Sequence, residues 1–182
     1  NEIWSRTFGG NSKDGGSELV QISPNEVMLL GYTESFGAGG RDIYLQTVST
    51  NGDSLWSATY GGSGYEESQA IAKTIDGGFV MSNHAASNEP NHQLLATKLD
   101  VNFQTQWETE FGSTTDHEGG EAVIADSEGN HVFVGRTNSF GNEEQVYFIK
   151  TDSDGNVLEE LNFGDGGDQR GNDIIEHNGS FY

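Results

Sequence analysis

Hydrophobic and polar positions alternate in short runs along this chain. The runs SELVQIS at 17–23, EVMLLGYT at 26–33 and DIYLQTVS at 42–49 are rich in β-branched and aromatic residues, and clusters of Gly, Asn, Asp or Pro separate them. This pattern is typical of short strands joined by tight turns. No segment keeps a helical period of about 3.6 residues between capping residues, so the sequence predicts an all-β protein with almost no helix.

The chain also repeats itself. A tryptophan, three further residues, an aromatic residue and a glycine recur in WSRTFGG, WSATYGG and WETEFGS, whose tryptophans are Trp4, Trp56 and Trp107. The aromatic residues of this motif and of a fourth copy are 52, 51 and 52 residues apart, at Phe8, Tyr60, Phe111 and Phe163. A second motif, Gly-x-Thr-x-Ser-Phe-Gly, begins at Gly31 and again at Gly135, two periods later. Such regularity indicates tandem structural units.

Each unit contains four predicted strands. The predicted units are 9–60, 61–111 and 112–163, with 1–8 as a leading outer strand and 164–182 as the start of a fourth unit. A period near fifty residues with four antiparallel strands per unit is typical of the blades of a β-propeller. We therefore predict part of a β-propeller, with three complete blades and parts of two others, in which the tryptophans lie on the outermost strands.

Segments such as GYTESFGAGG at 31–40, TYGGSG at 59–64 and DGGF at 76–79 give a composite motif that covers essentially the whole chain. This motif resembles the tandem β-propeller repeats, kelch-like in architecture, of large secreted or surface proteins of bacteria and archaea. The resemblance implies a display, adhesion or spacer module without a shared catalytic set. Three ways of completing the ring stay open: a longer chain with about six to eight blades, a second copy of this chain, or a compact four-bladed closure.

The composition restricts the possible partners. The 182 residues include 29 acidic and 8 basic side chains, a net charge of −21, so nucleic acid and anionic membrane surfaces are repelled. Salt or divalent cations would screen such a charge. The absence of cysteine fits a cytosolic protein and a secreted prokaryotic one equally. Taking the charge and the resemblance together, we expect an extracellular or cell-surface protein without membrane insertion.

Acidic residues gather between each aromatic–glycine motif and the first strand of the following unit. If these connections share one face of a propeller, their carboxylates offer the oxygen ligands that Ca²⁺ prefers. The candidate ligands are Asp14, Glu18, Glu66, Glu67, Asp116, Glu118, Glu121, Asp165, Asp168 and Asp173. Solvated loop carboxylates in an acidic chain are the alternative interpretation. The histidines lack the spacing of a zinc site, and TDSDGN at 151–156 lacks the Gly and Glu positions of an EF-hand, which favours a hairpin turn.

The connection at 83–92 departs most from the repeat. It replaces a glycine-rich segment with asparagine, histidine and proline, and we predict that it grips a protein or glycan partner through Asn83, His84, Asn88, Asn91 and His92. The predicted function is a non-enzymatic structural or binding module for adhesion or display, or a subunit of a larger assembly. The alternative is a propeller hydrolase or lyase that acts on polysaccharide through two carboxylates. The one glycosylation sequon, at Asn178, falls in a predicted turn.

Overall fold

A computed structural model describes residues 2–88, 91–113, 116–141 and 143–182, without the side chains of residues 87 and 88. Those residues form strands and turns and contain no helix, which confirms the all-β prediction. No helix long and apolar enough to cross a membrane occurs among them. The chain divides into two compact units, Asn1–Ser68 and Gln69–Tyr182.

Three antiparallel four-stranded sheets follow one another along the chain, each with its strands in sequence order. The first sheet holds β1 (Asp14–Ser23), β2 (Glu26–Thr33), β3 (Asp42–Ser49) and β4 (Ser54–Tyr60). The second holds β5 (Tyr65–Lys73), β6 (Phe79–Asn88), β7 (Asn91–Leu99) and β8 (Thr105–Phe111). The third holds β9 (Glu118–Ala125), β10 (His131–Thr137), β11 (Gln145–Thr151) and β12 (Val157–Phe163). Each predicted unit thus contains one sheet.

A close approach between the first two strands explains the glycine that opens the Gly-x-Thr-x-Ser-Phe-Gly motif. In the first sheet Gly31 pairs with Gly16, and a Cβ at Gly31 would lie 1.9 Å from the carbonyl oxygen of Gly15. In the third sheet a Cβ at Gly135 would lie 1.9 Å from the carbonyl oxygen of Gly119. Only glycine fits such an approach, because the obstructing atom belongs to the backbone and cannot rotate away.

The second and third sheets pack face to face within the second unit. Their shared core consists of Ala70, Val80, Leu94, Ala96 and Phe111 from the second sheet and Val123, Phe133, Tyr147 and Ile149 from the third. The rings of Phe111 and Phe133 meet at 6.0 Å between centroids. Phe111 is one of the repeated aromatic residues, so the repeat motif supplies a ring to the space between sheets. Burial of such a side chain contributes roughly 1.5–3 kcal/mol.

A short hairpin follows the third sheet. It joins β13 (Glu176–His177) to β14 (Ser180–Phe181), and the turn residues Asn178 and Gly179 have φ angles of 52° and 74°. Two consecutive positive φ angles define the turn that favours Asn-Gly in two-residue hairpins. The predicted turn at the sequon is therefore confirmed.

The tryptophans of two repeats have equivalent surroundings. The indole nitrogen of Trp4 donates to the carbonyl of Thr50 at 2.8 Å, and that of Trp107 donates to the carbonyl of Ser153 at 3.0 Å. Each acceptor lies in the turn between the third and fourth strands of the next sheet along the chain. Trp107 lies on β8, a fourth strand as predicted, but residues 2–8 contain no strand. A strand needs a hydrogen-bonded neighbour, so the leading outer strand stays a prediction that depends on strands beyond the three sheets described.

Candidate functional site

A carboxylate in the first unit joins three parts of the first sheet. Asp14, at the start of β1, accepts hydrogen bonds from the backbone nitrogen of Gly10 at 2.8 Å and from the hydroxyl of Ser35 at 2.9 Å. The hydroxyl of Thr33 donates to the other carboxylate oxygen. A Cβ at Gly9, whose φ is +130°, would lie 2.4 Å from this carboxylate. The aromatic–glycine and Thr-x-Ser motifs therefore meet at one acidic side chain.

The second unit contains the same arrangement around Glu118. Its carboxylate accepts hydrogen bonds from the backbone nitrogen of Ser113 at 3.1 Å, from Thr137 at 3.0 Å and from the hydroxyl of Ser139. A Cβ at Gly112, whose φ is +108°, would again lie 2.4 Å from the carboxylate. We name this arrangement, in either unit, the carboxylate clamp.

The two clamps differ in their electrostatics. Burial opposes ionisation of Asp14, but the hydrogen bonds from Thr33, Gly10 and Ser35 together outweigh it and lower the pKa of that carboxyl. Around Glu118 burial is the stronger effect and raises its pKa despite the donated hydrogen bonds. Asp14 and Glu118 thus both accept hydrogen bonds from their own repeat.

Glu66 stands at the equivalent position of the second repeat. It is buried, and its carboxylate accepts a hydrogen bond from the backbone nitrogen of Gly62 at 3.2 Å. A Cβ at Gly61, whose φ is +130°, would lie 2.4 Å from that carboxylate. Where the other repeats have Thr33 and Thr137, this repeat has Ala85, so the hydroxyl of that threonine is absent from it.

The other predicted calcium ligands do not gather into a site. Among the described residues no three acidic or histidine side chains are placed to hold a metal ion. Glu67 pairs with Arg41 at 2.5 Å, and Glu121 lies 3.5 Å from Arg136. Asp168 accepts a hydrogen bond from the backbone of Glu144 at 3.3 Å, and Asp173 caps the next backbone nitrogen. Glu18 is half-buried on β1, Asp116 is half-buried and Asp165 is exposed. Calcium binding stays a prediction without a ligand set in these residues.

Each unit has an ion pair at an equivalent place, but the basic and acidic residues have exchanged positions. In the first unit the backbone nitrogen of Glu66 donates to the carbonyl of Arg41 at 2.8 Å, and the Arg41 side chain pairs with Glu67. In the second unit the backbone nitrogen of Gln169 donates to the carbonyl of Glu144 at 2.8 Å, and the Glu144 side chain pairs with Arg170. The backbone connection is the same, whereas the charges are exchanged.

The predicted partner loop is shorter than the sequence suggested. Asn83 is wholly buried inside β6, where its amide donates to the carbonyl of Leu95 at 2.9 Å. Its assignment to a partner-binding loop is therefore wrong, because an asparagine whose amide is buried in the sheet cannot reach a partner. The side chain of Asn88 lies outside the described residues.

Three other residues of that prediction lie nearer the ends of the two strands. His84 is in β6, 3.8 Å from Glu121, and is largely covered. Asn91 and His92 open β7 and are half-buried, and the ring of His92 lies 5.8 Å from that of His117. Of this set, His84 contributes to a polar cluster with Glu121, Arg136 and Glu144. We name this group the His84 cluster.

A pocket at the opposite end of these strands was missed by the sequence reasoning. It has a volume of about 410 Å³, and its walls include Asp76, Lys98, Gln106, Trp107, His131 and Asp154. The ammonium group of Lys98 is buried and bonds to Asp76 at 2.9 Å. The available sequence signal is a lysine at the same repeat position, Lys150, which pairs with Asp126 at 2.8 Å. We name this pocket the turn-end pocket.

Comparisons with known proteins add one result on the fold. The structure resembles a solved structure, a protein of unknown function from Bacteroides caccae, with a TM-score of 0.56 and 13% sequence identity. The similarity shows the fold alone. It covers 86% of this chain and 48% of that one, so the chain spans about half of the solved protein. No protein-family model and no curated protein matches the sequence.

Proposed function

We propose that the four-stranded sheets are blades of a β-propeller and that the protein is a non-enzymatic extracellular module for adhesion or display. The observation that carries this proposal is a difference between two kinds of repeated position, those that hold the structure together and those that form its surface. Positions that the first and third repeats share, at the carboxylate clamp and the close glycine contact, hold the strands of each sheet together. Neighbouring positions that change from repeat to repeat carry the polar surface, as expected of a rigid scaffold that presents variable contacts.

The packing of the second unit supports the propeller part of the proposal. Phe111 is 7% exposed because the third sheet covers it, whereas Phe163, its equivalent on the third sheet, is 50% exposed. The hairpin β13–β14 begins to cover that face, with Phe181 5.8 Å from Phe148 between ring centroids. A further sheet stacked in the same way would bury Phe163 as the third sheet buries Phe111, which is how blades succeed one another around an axis.

The His84 cluster is the surface that we propose for the partner. Tyr32, His84 and Arg136 stand at one position of the three repeats and differ in charge and shape. In the second unit His84 and Arg136 both approach Glu121, at 3.8 and 3.5 Å, and Arg136 also approaches Glu144 at 3.7 Å. Arginine, here the partly exposed Arg136, is enriched in binding surfaces.

Binding to surface polymers tests the proposal. The purified protein is incubated with chitin, cellulose, peptidoglycan, mucin and collagen, and the bound fraction and any soluble product are measured. We expect saturable retention on at least one material without release of product. The substitution Arg136→Ala should reduce that retention at least fivefold, while Arg6→Ala, outside the cluster, should leave it unchanged. Retention on none of the materials, or release of new reducing ends or unsaturated sugars, would contradict the proposal.

A further inference from the structure

The sequence contains two Asn-Gly pairs, and both lie in turns. Asn51–Gly52 lies between β3 and β4, and Asn178–Gly179 forms the turn of the hairpin β13–β14. Asparagine is among the thermally labile residues, and a following glycine exposes it further, since no side chain shields the glycine nitrogen from the asparagine amide. The two turns differ in whether that nitrogen is free to react.

The first pair is held closed. The N–H of Gly52 donates to the carbonyl of Ser49 at 2.9 Å, and the indole of Trp4 donates to the carbonyl of Thr50 at 2.8 Å. A Cβ at Gly52 would lie 2.7 Å from the Trp4 ring, so the ring lies directly against the glycine. The nitrogen that follows Asn51 is therefore both hydrogen-bonded and covered.

The second pair is open. Asn178 and Gly179 are exposed, and nothing lies within 4 Å of a Cβ added at Gly179. Within the described parts of the chain, no acceptor takes the N–H of Gly179. The hairpin has two residues in each strand and forms a sheet of its own, and a two-stranded hairpin is only marginally stable. This turn therefore opens at little cost in free energy.

An open Asn-Gly turn permits an intramolecular reaction that needs only water. The nitrogen of Gly179, having lost its proton to a base, attacks Cγ of Asn178 and closes a succinimide ring. The bond from Cγ to Nδ2 breaks, and Nδ2 takes up a proton and leaves as ammonia. Water then opens the ring at one of its two carbonyl groups, which gives aspartate or isoaspartate.

A histidine stands beside the leaving atom of the second pair. The Nε2 atom of His177 lies 3.1 Å from Nδ2 of Asn178. An imidazole can accept a proton and return it, so His177 is placed to supply the proton that the departing ammonia needs. Thr50, which precedes Asn51, offers no such group.

The position of the hairpin depends on the length of its turn. The ring of Phe181 lies 5.8 Å from that of Phe148 on the third sheet, and Glu176 accepts a hydrogen bond from the backbone of Ser127 at 2.7 Å. The two-residue turn fixes which residues of the two strands face each other. Isoaspartate adds one carbon to the backbone of the turn and shifts that pairing, whereas aspartate leaves the backbone length unchanged.

We propose that Asn178 is a site of spontaneous deamidation through Gly179, assisted by His177, and that Asn51 is protected from the same reaction. The isoaspartyl product releases the hairpin β13–β14 from the third sheet. The reaction also destroys the glycosylation sequon, whose acceptor is Asn178. This inference depends on the two turns alone, so it can stand or fail independently of the proposed function.

Ageing of the intact protein tests the site. The protein is kept at mildly alkaline pH and sampled over several weeks, and its peptides are analysed by mass spectrometry, with fragmentation to assign each change to one residue. We expect the residue at 178 to gain the mass difference between an amide and a carboxyl group at least tenfold faster than Asn51. No gain at Asn178, or equal rates at the two asparagines, would overturn the proposal.

Three variants separate the contributions. Gly179→Ala should slow the reaction at Asn178 at least tenfold, because the methyl group obstructs the attacking nitrogen. His177→Gln should slow it at least threefold, and an unchanged rate would overturn the part assigned to His177. Trp4→Ala should accelerate deamidation of Asn51 and leave Asn178 unaffected; an unaltered rate at Asn51 would overturn the protection assigned to its turn.

Asn178→Asp is the matched control for the released hairpin, since it carries the charge of the product on an unchanged backbone. The contact between the rings of Phe181 and Phe148 is followed by NMR. We expect it in Asn178→Asp and in the fresh protein, and expect its loss in the isoaspartyl fraction separated from the aged sample. A contact retained in that fraction would overturn the release of the hairpin.

Discussion

The first and third repeats share one pattern of hydrogen bonds, which an aspartate accepts in the first and a glutamate in the third. Asp14 and Glu118 both receive a backbone N–H from the preceding connection and two hydroxyl groups from Thr-x-Ser. The shorter Asp14 has a lowered pKa, whereas the more deeply buried Glu118 has a raised one. The comparison shows that the repeat preserves a pattern of hydrogen bonds, and that the acid–base properties of the acceptor vary freely around it.

The same two repeats show which interactions the architecture does not require. The pair Arg41–Glu67 becomes Glu144–Arg170, with the backbone hydrogen bond beside it retained. Since the charges can be exchanged, the ion pair is not what positions these connections. The order of the two charges can therefore differ between repeats and change the charge pattern on the surface of each.

The largest effect is expected at the close glycine contacts. Gly31→Ala and Gly135→Ala would each place a methyl group 1.9 Å from a backbone carbonyl oxygen, so two paired strands must separate. We expect each to lower the free energy of unfolding by about 4 kcal/mol, measured by denaturant titration. Gly62→Ala is the matched control, because nothing lies within 4 Å of its added Cβ. Losses at Gly31 and Gly135 as small as that at Gly62 would contradict the close contacts, and a large loss at only one of the two would contradict the equivalence of the repeats.

The second-largest effect is a pH dependence of stability that the third repeat has and the first lacks. It comes from His131, whose equivalent in the first repeat is Val27. Burial, together with the positive charge of Lys98, lowers the pKa of His131 to about 4 in the folded protein, from 6.5 as its ordinary value. Between these values the unfolded chain binds a proton that the folded protein excludes. Stability should therefore be unaffected by His131 above pH 6.5 and fall by about 2–3 kcal/mol as the pH drops to about 4. His131→Phe should remove this part of the pH dependence; an unchanged profile would contradict the assignment.

Removal of one hydroxyl from each clamp tests their similarity directly. Thr33→Ala and Thr137→Ala should each cost about 1–1.5 kcal/mol of unfolding free energy, within the usual contribution of one intramolecular hydrogen bond. The natural Ala85 shows that the position accepts alanine. Glu118 is the more buried acceptor, so Thr137→Ala should be the costlier change. A larger loss at Thr33 would mean that burial does not control these clamps.

The smallest effect is expected from reversing the ion pair of the first repeat. Arg41→Glu and Glu67→Arg should each destabilise the protein slightly, and the double variant should recover about 0.5–1 kcal/mol relative to their sum. The recovery should decrease in high salt. A double variant no more stable than the sum of the two single changes would show that the exchanged charges are not coupled.

Much of the fold follows from sequence period alone. Alternating runs and turn residues predict the strands, and the repeated aromatic residues predict the sheet boundaries, because both depend on short-range pattern. Asn83 escaped this reasoning, since a polar residue in an Asn- and His-rich stretch resembles a loop residue. Its burial depends on Leu95 and Thr97, to which its amide donates across the sheet.

The candidate sites were less predictable for a similar reason. Asp14, Glu66 and Glu118 recur at one period, and the sequence could not distinguish metal ligands from acceptors of internal hydrogen bonds. That distinction depends on where Thr33, Ser35 and their equivalents fold. The turn-end pocket depends on contacts between neighbouring sheets, and the sequence indicates it only through the recurring lysine and the exchange of Phe79 for His131.

An experimental structure of this chain, analysed by superposing its successive sheets, tests the propeller most directly. The rotation that carries β5–β8 onto β9–β12 should also carry β1–β4 onto β5–β8 about the same axis, with no translation along it. Two different axes, or a steady translation from sheet to sheet as in a solenoid, would contradict the account.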